Sequence, residues 1–158
     1  MAQTTVKTKL AFGVQGEFYD SSVKRVTPHV LAASAVIGSV AWVDAEGKAY
    51  ATGGATGAKV AGIFVSPKEY VNRGAIDSVT LNMATGDVAQ VADIGHVIVK
   101  VQNAVNVGDN VFFGATGWYG ATGNTGPTST TRLEGAKFVR VTSTATGDNN
   151  LAVIELNG

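Results

Sequence analysis

Short runs of alternating apolar and polar residues, each closed by a glycine-containing turn, recur along this chain. A strand places successive side chains on opposite faces, so alternation with period two marks a half-buried β-strand, whereas an amphipathic helix needs a period near 3.6. Val36, Gly38, Val40 and Trp42 share one parity and run into the turn Asp44-Ala45-Glu46-Gly47, after which Lys48–Ala51 returns as a hairpin partner. Val60–Val65 is apolar at every position, the pattern of a strand buried on both faces. Val79, Leu81 and Met83 alternate with Thr80 and Asn82, and Ala84-Thr85-Gly86-Asp87 then reads as a hairpin turn. Further strands are expected at Val88–Ala92, Val97–Val101, Val111–Phe113, Lys137–Val141 and Leu151–Leu156. Strands this short and this regularly punctuated predict an all-β fold, an antiparallel sandwich or jelly-roll-like barrel.

Helix signals are poor. Val26–Ile37 carries Pro28 and several β-branched residues, which lower its helix propensity. The tripeptide Ala-Thr-Gly recurs at 51–53, 55–57, 84–86, 115–117, 121–123 and 145–147, but at irregular intervals, so it reads as a loop element rather than a structural repeat. Gly114–Arg132, rich in Gly, Thr and Ser, reads as a long surface loop enclosing one short strand at Trp118-Tyr119. Residues 1–35 lack clear periodicity and stand apart as an N-terminal arm and edge segment, leaving 36–158 as a single β domain. In that segment Phe12, Phe18 and Tyr19 lie near the basic pair Lys24-Arg25, which suits either a local edge strand or an arm laid on a neighbouring subunit.

Composition narrows the function. Twelve basic residues balance twelve acidic ones in 158, without the basic excess expected of a nucleic-acid binder. A net charge near zero favours association. With no cysteine, disulfides, cysteine-zinc sites and thiol nucleophiles are excluded. The two histidines, His29 and His96, have no metal-ligand spacing around them, and His96 beside a strand reads as a hydrogen-bonded structural residue. No Gly-x-Ser-x-Gly elbow is present. Gly53-Gly54-Ala55-Thr56-Gly57 is followed by a strand rather than by the helix that a phosphate loop requires. These readings predict no catalytic residue, cofactor or metal. Val30–Val43, the longest apolar-leaning run, is too short to span a bilayer, and no secretory signal is evident, so a soluble product made in a cytoplasm is expected. Trp42 lies in an alternating strand and reads as core. Trp118 and Tyr119, on a glycine-rich loop, read as an exposed pair suited to a protein contact or, alternatively, a glycan.

The order of segments resembles the small structural cement (capsid decoration) proteins of tailed bacteriophages. The resemblance is carried by Gly13-Val14-Gln15-Gly16-Glu17-Phe18-Tyr19-Asp20-Ser21-Ser22 before Lys24-Arg25-Val26, and by Ala32–Gly38 leading into Val40–Val43. Val60-Ala61-Gly62-Ile63-Phe64-Val65 is similar to the family's short apolar strand. Val97–Val101 running into Val105-Asn106-Val107-Gly108-Asp109-Asn110-Val111 looks like its Val-x-Gly-Asp element, and Ala136–Val141 with Leu151–Leu156 like its closing strands. The Gly13–Ser22 segment is longer and more aromatic than the pattern, and Gly114–Arg132 is extended.

The resemblance implies a non-enzymatic protein of the virion, assembled in a bacterial host cytoplasm. It would bind the outer surface of a capsid and stabilise contacts between major capsid protein subunits, as a homodimer or homotrimer, without nucleic acid or membrane. Candidate assembly contacts are Phe12, Phe18, Tyr19, Lys24, Arg25, Trp118 and Tyr119. The alternative from another class is a carbohydrate- or receptor-binding β-sandwich module of a phage particle.

Overall fold

The computed structural model describes residues 13–51, 57–66, 82–141 and 150–158. Among them the chain forms strands and no helix, as the alternation predicts. In chain order these are β1 (Arg25–Leu31), β2 (Ala35–Val36), β3 (Val40–Val43), β4 (Lys48–Tyr50), β5 (Lys59–Val65), β6 (Asn82–Met83), β7 (Val88–Lys100), β8 (Asn110–Gly114), β9 (Gly117–Ala121), β10 (Thr131–Val141) and β11 (Leu151–Asn157). Nine pair in the order β1-β4-β3-β5-β7-β11-β10-β8-β9, while β2 and β6 make a separate ribbon. β1 also pairs with β7, so β1, β4, β3, β5 and β7 close into a five-stranded ring, with β11, β10, β8 and β9 extending from β7. β1–β4 is the parallel pair and the other ladders are antiparallel.

Each of the two assemblies has its own core. Leu31, Ala41, Ala49, Phe64, Ala89 and Val91 pack together inside the ring, joined by Ala35, Ile37 and Met83. On the other side of β5, Ile63 and Val65 join Val97, Val99, Val111, Phe113, Trp118, Phe138 and Ile154. β5 therefore buries both faces, as its unbroken apolar run predicts. Each fully buried large side chain contributes about 1.5–3 kcal/mol relative to exposure.

Several boundaries differ from expectation, each for a local reason. Val36–Trp42 is not one strand: Gly38, with φ +87°, turns the chain between β2 and β3. Val88–Ala92 and Val97–Val101 are one thirteen-residue strand, β7. Ala92 and Val97 face the same core although their parities differ. The one-residue slip falls at Asp93, which the β1 ladder skips between Ile94 and Ala92, and Gly95 two residues on takes φ +131°, a value that suits glycine. Ala84–Asp87 does form a turn, closed by the Asp87 amide donating to the Ala84 carbonyl at 3.1 Å, but β6 pairs with β2 rather than with β7. Gly114–Arg132 is part sheet: Gly117–Ala121 pairs with β8 along its whole length, which leaves a turn at 115–116 and a loop at 122–130. Residues 25–31 of the segment set apart as 1–35 form β1, paired with both β4 and β7.

Candidate assembly surface

Residues 13–24 form a strap along β7. Glu17 and Gly16 bond both polar groups of Ile98, the Ile98 amide donating to the Glu17 carbonyl at 2.9 Å and the Gly16 amide donating to the Ile98 carbonyl at 2.7 Å. The Tyr19 amide donates to the His96 carbonyl at 2.8 Å, and Phe18 stands opposite Val97. Because β11 pairs with Ile94–Lys100 along one flank, the strap occupies the other. Gly13 lies directly over the Ile98 side chain. The strap is clipped by Asp20. Its carboxylate accepts from the Ser22 hydroxyl at 2.5 Å, the Ser22 amide at 3.1 Å and His96 Nδ1 at 2.6 Å. The Ser22 hydroxyl bond, followed by the His96 bond, holds the Asp20 carboxyl down at about 2. Just beyond, the Arg25 guanidinium forks onto both oxygens of Asp93, its Nε donating at 2.9 and 2.8 Å.

A second feature is a groove of about 600 Å³ between the β2–β6 ribbon and the turn joining β8 to β9. Gln15 of the strap, Asn82, Lys100 and Gln102 border it, with Phe113 and Trp118 behind. Trp118 sets its shape. The Trp118 indole Nε1 donates to the Gly38 carbonyl at 2.6 Å, tying the β8–β9 hairpin to the β2–β3 turn. Phe113 meets Trp118 and Trp42 edge-on, each at 6.0 Å between ring centroids. The outer edge of β9 is already occupied: the Gln102 amide donates to the Trp118 carbonyl, and the Asn103 side chain bonds both polar groups of Gly120. Among the described residues no three His, Asp or Glu side chains converge as a metal site would require.

Residues 2–157 match the family model described as structural cement protein (E217 gp24/Pam3 gp6). The chain belongs to the structural cement protein family. Among solved structures, a chain of "The capsid of Myoviridae Phage XM1" superposes with a TM-score of 0.64 at 19% identity, covering 99% of this chain and 97% of that one. That likeness shows a shared all-β fold. Among curated proteins no match is found.

The structure places the residues singled out by sequence in three ways. Phe12 lies outside the described residues. Phe18, Tyr19 and Lys24 lie on the strap and Arg25 opens β1 directly after it, but not as free aromatics beside free cations. Phe18 packs against the second core with Lys24 Nζ 4.7 Å above its ring, and the Arg140 guanidinium stands 5.2 Å from the Tyr19 ring. Trp118 corrects the expectation of an exposed pair: it is 2% exposed, because β9 alternates and turns position 118 inward. Tyr119, one residue on, points the other way and is half-buried, its hydroxyl 2.5 Å from that of Thr116. Trp42 is half-buried against the core, as expected. Val23 went unnoticed, yet it is 83% exposed between the Asp20 clip and Lys24. An apolar residue in a segment without periodicity was the available signal. Lys100 gave none, since strand parity alone does not reveal a groove.

The clip has a pH dependence with a defined sign. Asp20 is depressed from 3.8 to about 2, so its contribution is fully present above about pH 4 and is lost as pH falls towards 2. The carboxylate is partly solvated, which keeps the effect local. Amide-exchange protection at Tyr19 and Ile98 is expected to fall across this interval while that of Val91, in the ring, holds. Asp20→Asn is expected to lack the step.

Proposed function

We propose that this protein binds the outer surface of an assembled phage capsid and holds neighbouring major capsid protein subunits together. The family match across nearly the whole chain carries this reading. Physically, a protein that binds only assembled neighbours stabilises the assembled state by mass action, so many weak copies together resist internal pressure. The balanced charge and the sparse charged residues, 15% of the chain, limit the desolvation cost of a broad contact and also favour a homodimer or homotrimer. Assembly in the host cytoplasm is consistent with a chain free of cysteine.

The strap is the proposed shell contact. Val23 and Lys24 of the strap and Arg25 at the start of β1 are exposed together, with Phe18 beneath Lys24, and Tyr119 with Phe12 remains a candidate. Trp118 presents no exposed ring to a partner, since its indole is buried. The same burial removes the aromatic pair that motivated a glycan platform. Co-sedimentation with undecorated capsids of the encoding phage tests the reading, and saturable binding is the expected result. Val23→Asp is expected to weaken that binding roughly tenfold, about 1.4 kcal/mol, with an unchanged melting temperature. Wild-type protein that leaves undecorated capsids bare would overturn the proposal.

A further inference from the structure

We infer that the groove between the β2–β6 ribbon and the β8–β9 turn receives an extended segment of the shell protein carrying a carboxylate side chain, with Lys100 as its counter-ion. The inference rests on the proposed binding to a capsid and assigns that binding a second point of contact, apart from Val23.

Three observations support this occupant. First, charge: Lys100 lies at the groove and forms no ion pair among the described residues, whereas Arg25 and Lys48 each have an acidic partner. Among the described residues lining the groove there is no Asp or Glu. An incoming carboxylate therefore meets one unopposed cation and no repulsion. Second, donors and acceptors: the amide side chains of Gln15, Asn82 and Gln102 border the same space. Each carries both a carbonyl oxygen and an NH₂ group, the pairing that a peptide backbone offers in return. Third, shape: one wall is the turn Gly114-Ala115-Thr116-Gly117, where small residues let a second backbone approach closely. Phe113 and Trp118 are 6% and 2% exposed, so they form a floor but offer no open ring face for stacking a sugar. Strand addition at β9 is blocked by Gln102 and Asn103, which leaves the groove as the place where this end of the molecule can take an extended chain.

The groove is built by contacts internal to the fold. The Trp118–Gly38 bond holds its two walls together, and the Gln15 side-chain amide donates to the Ile37 carbonyl at 2.9 Å, bringing the strap to its rim. A segment seated there contacts the ring, the extended sheet and the strap together.

Co-sedimentation with undecorated capsids at low salt tests the inference with two variants and a control. Lys100→Glu places a like charge opposite the incoming carboxylate. Thr116→Trp, at an exposed turn position, fills the mouth of the groove without touching the core. Glu134→Lys, on an exposed side chain of β10 away from the groove, is the control. Each groove variant is expected to weaken binding at least tenfold with melting temperatures unchanged, and the control is expected to bind as wild type. Raising the salt concentration is expected to narrow the gap between wild type and Lys100→Glu. Wild-type binding that both groove variants match overturns the groove assignment and leaves the capsid role standing. Failure of the wild type to bind overturns the capsid role, and the groove assignment with it.

Discussion

Gly62→Ala is expected to prevent accumulation of folded protein. Gly62 sits within β5 at φ +149°, a backbone conformation that residues with a side chain rarely adopt. A Cβ there would lie 2.0 Å from the carbonyl oxygen of Ala92 and 2.8 Å from its carbon. Those atoms are backbone of β7, so no rotamer change relieves the overlap. β5 would have to withdraw from β7, and with it Ile63, Phe64 and Val65, all 0% exposed, which join the two cores. Overpacking alone typically costs about 1–3 kcal/mol where the surroundings can yield, and here they cannot. Against a total stability of about 5–15 kcal/mol, the loss of this contact is severe. Soluble yield and a cooperative thermal transition measure it. A Gly62→Ala protein that melts within about 2 °C of wild type would show that β5 and β7 can separate at little cost.

Trp118→Ala is expected to lower stability by about 3–5 kcal/mol, the range for removing a large buried aromatic. Three losses act together: the indole surface leaves a cavity in the second core, Phe113 loses an edge-on neighbour, and the Gly38 carbonyl loses its donor. For a chain of this size that corresponds to a melting temperature lower by roughly 6–20 °C. Trp118→Phe separates the contributions, since it keeps most of the apolar volume and removes the hydrogen bond, with an expected cost of about 1–3 kcal/mol. Equal melting temperatures for the two variants would mean that the bond to Gly38 outweighs the cavity.

These two positions also show what the sequence makes legible. Hydrophobic pattern, alternating or unbroken, marks β3, β4, β5, β8 and β11 because each buries one or both faces against a core, and burial is what such a pattern records. Order of segments pointed to the family, since the spacing of strands and turns spans the whole chain. Gly62, by contrast, reads in sequence as one more small residue in an apolar run. Its role comes from the close approach of β7, some thirty positions later, and pattern carries no such distance. Trp118 was misplaced because glycine and threonine around it resemble loop composition, although Trp118, Gly120 and Val111 follow the parity of a paired strand. The fusion of two expected strands into β7 was hidden by a bulge, which breaks alternation while the ladder continues. The groove was least legible of all. Gln15, Asn82 and the neighbouring Lys100 and Gln102 come from three separate segments, each an ordinary surface residue until the fold gathers them.

β7 gives its apolar face to both cores, pairs with β1, β5 and β11, and carries the strap on the flank that β11 leaves open. Mechanically it is the common spar of the molecule. A pull along the axis of residues 13–19, where the strap meets β7, loads the Gly16–Ile98 and Tyr19–His96 bonds in parallel, so they share the tension. Behind them the force enters a strand that neither half of the protein can release alone. Loaded in that direction the strap is held as by a rivet rather than a zip.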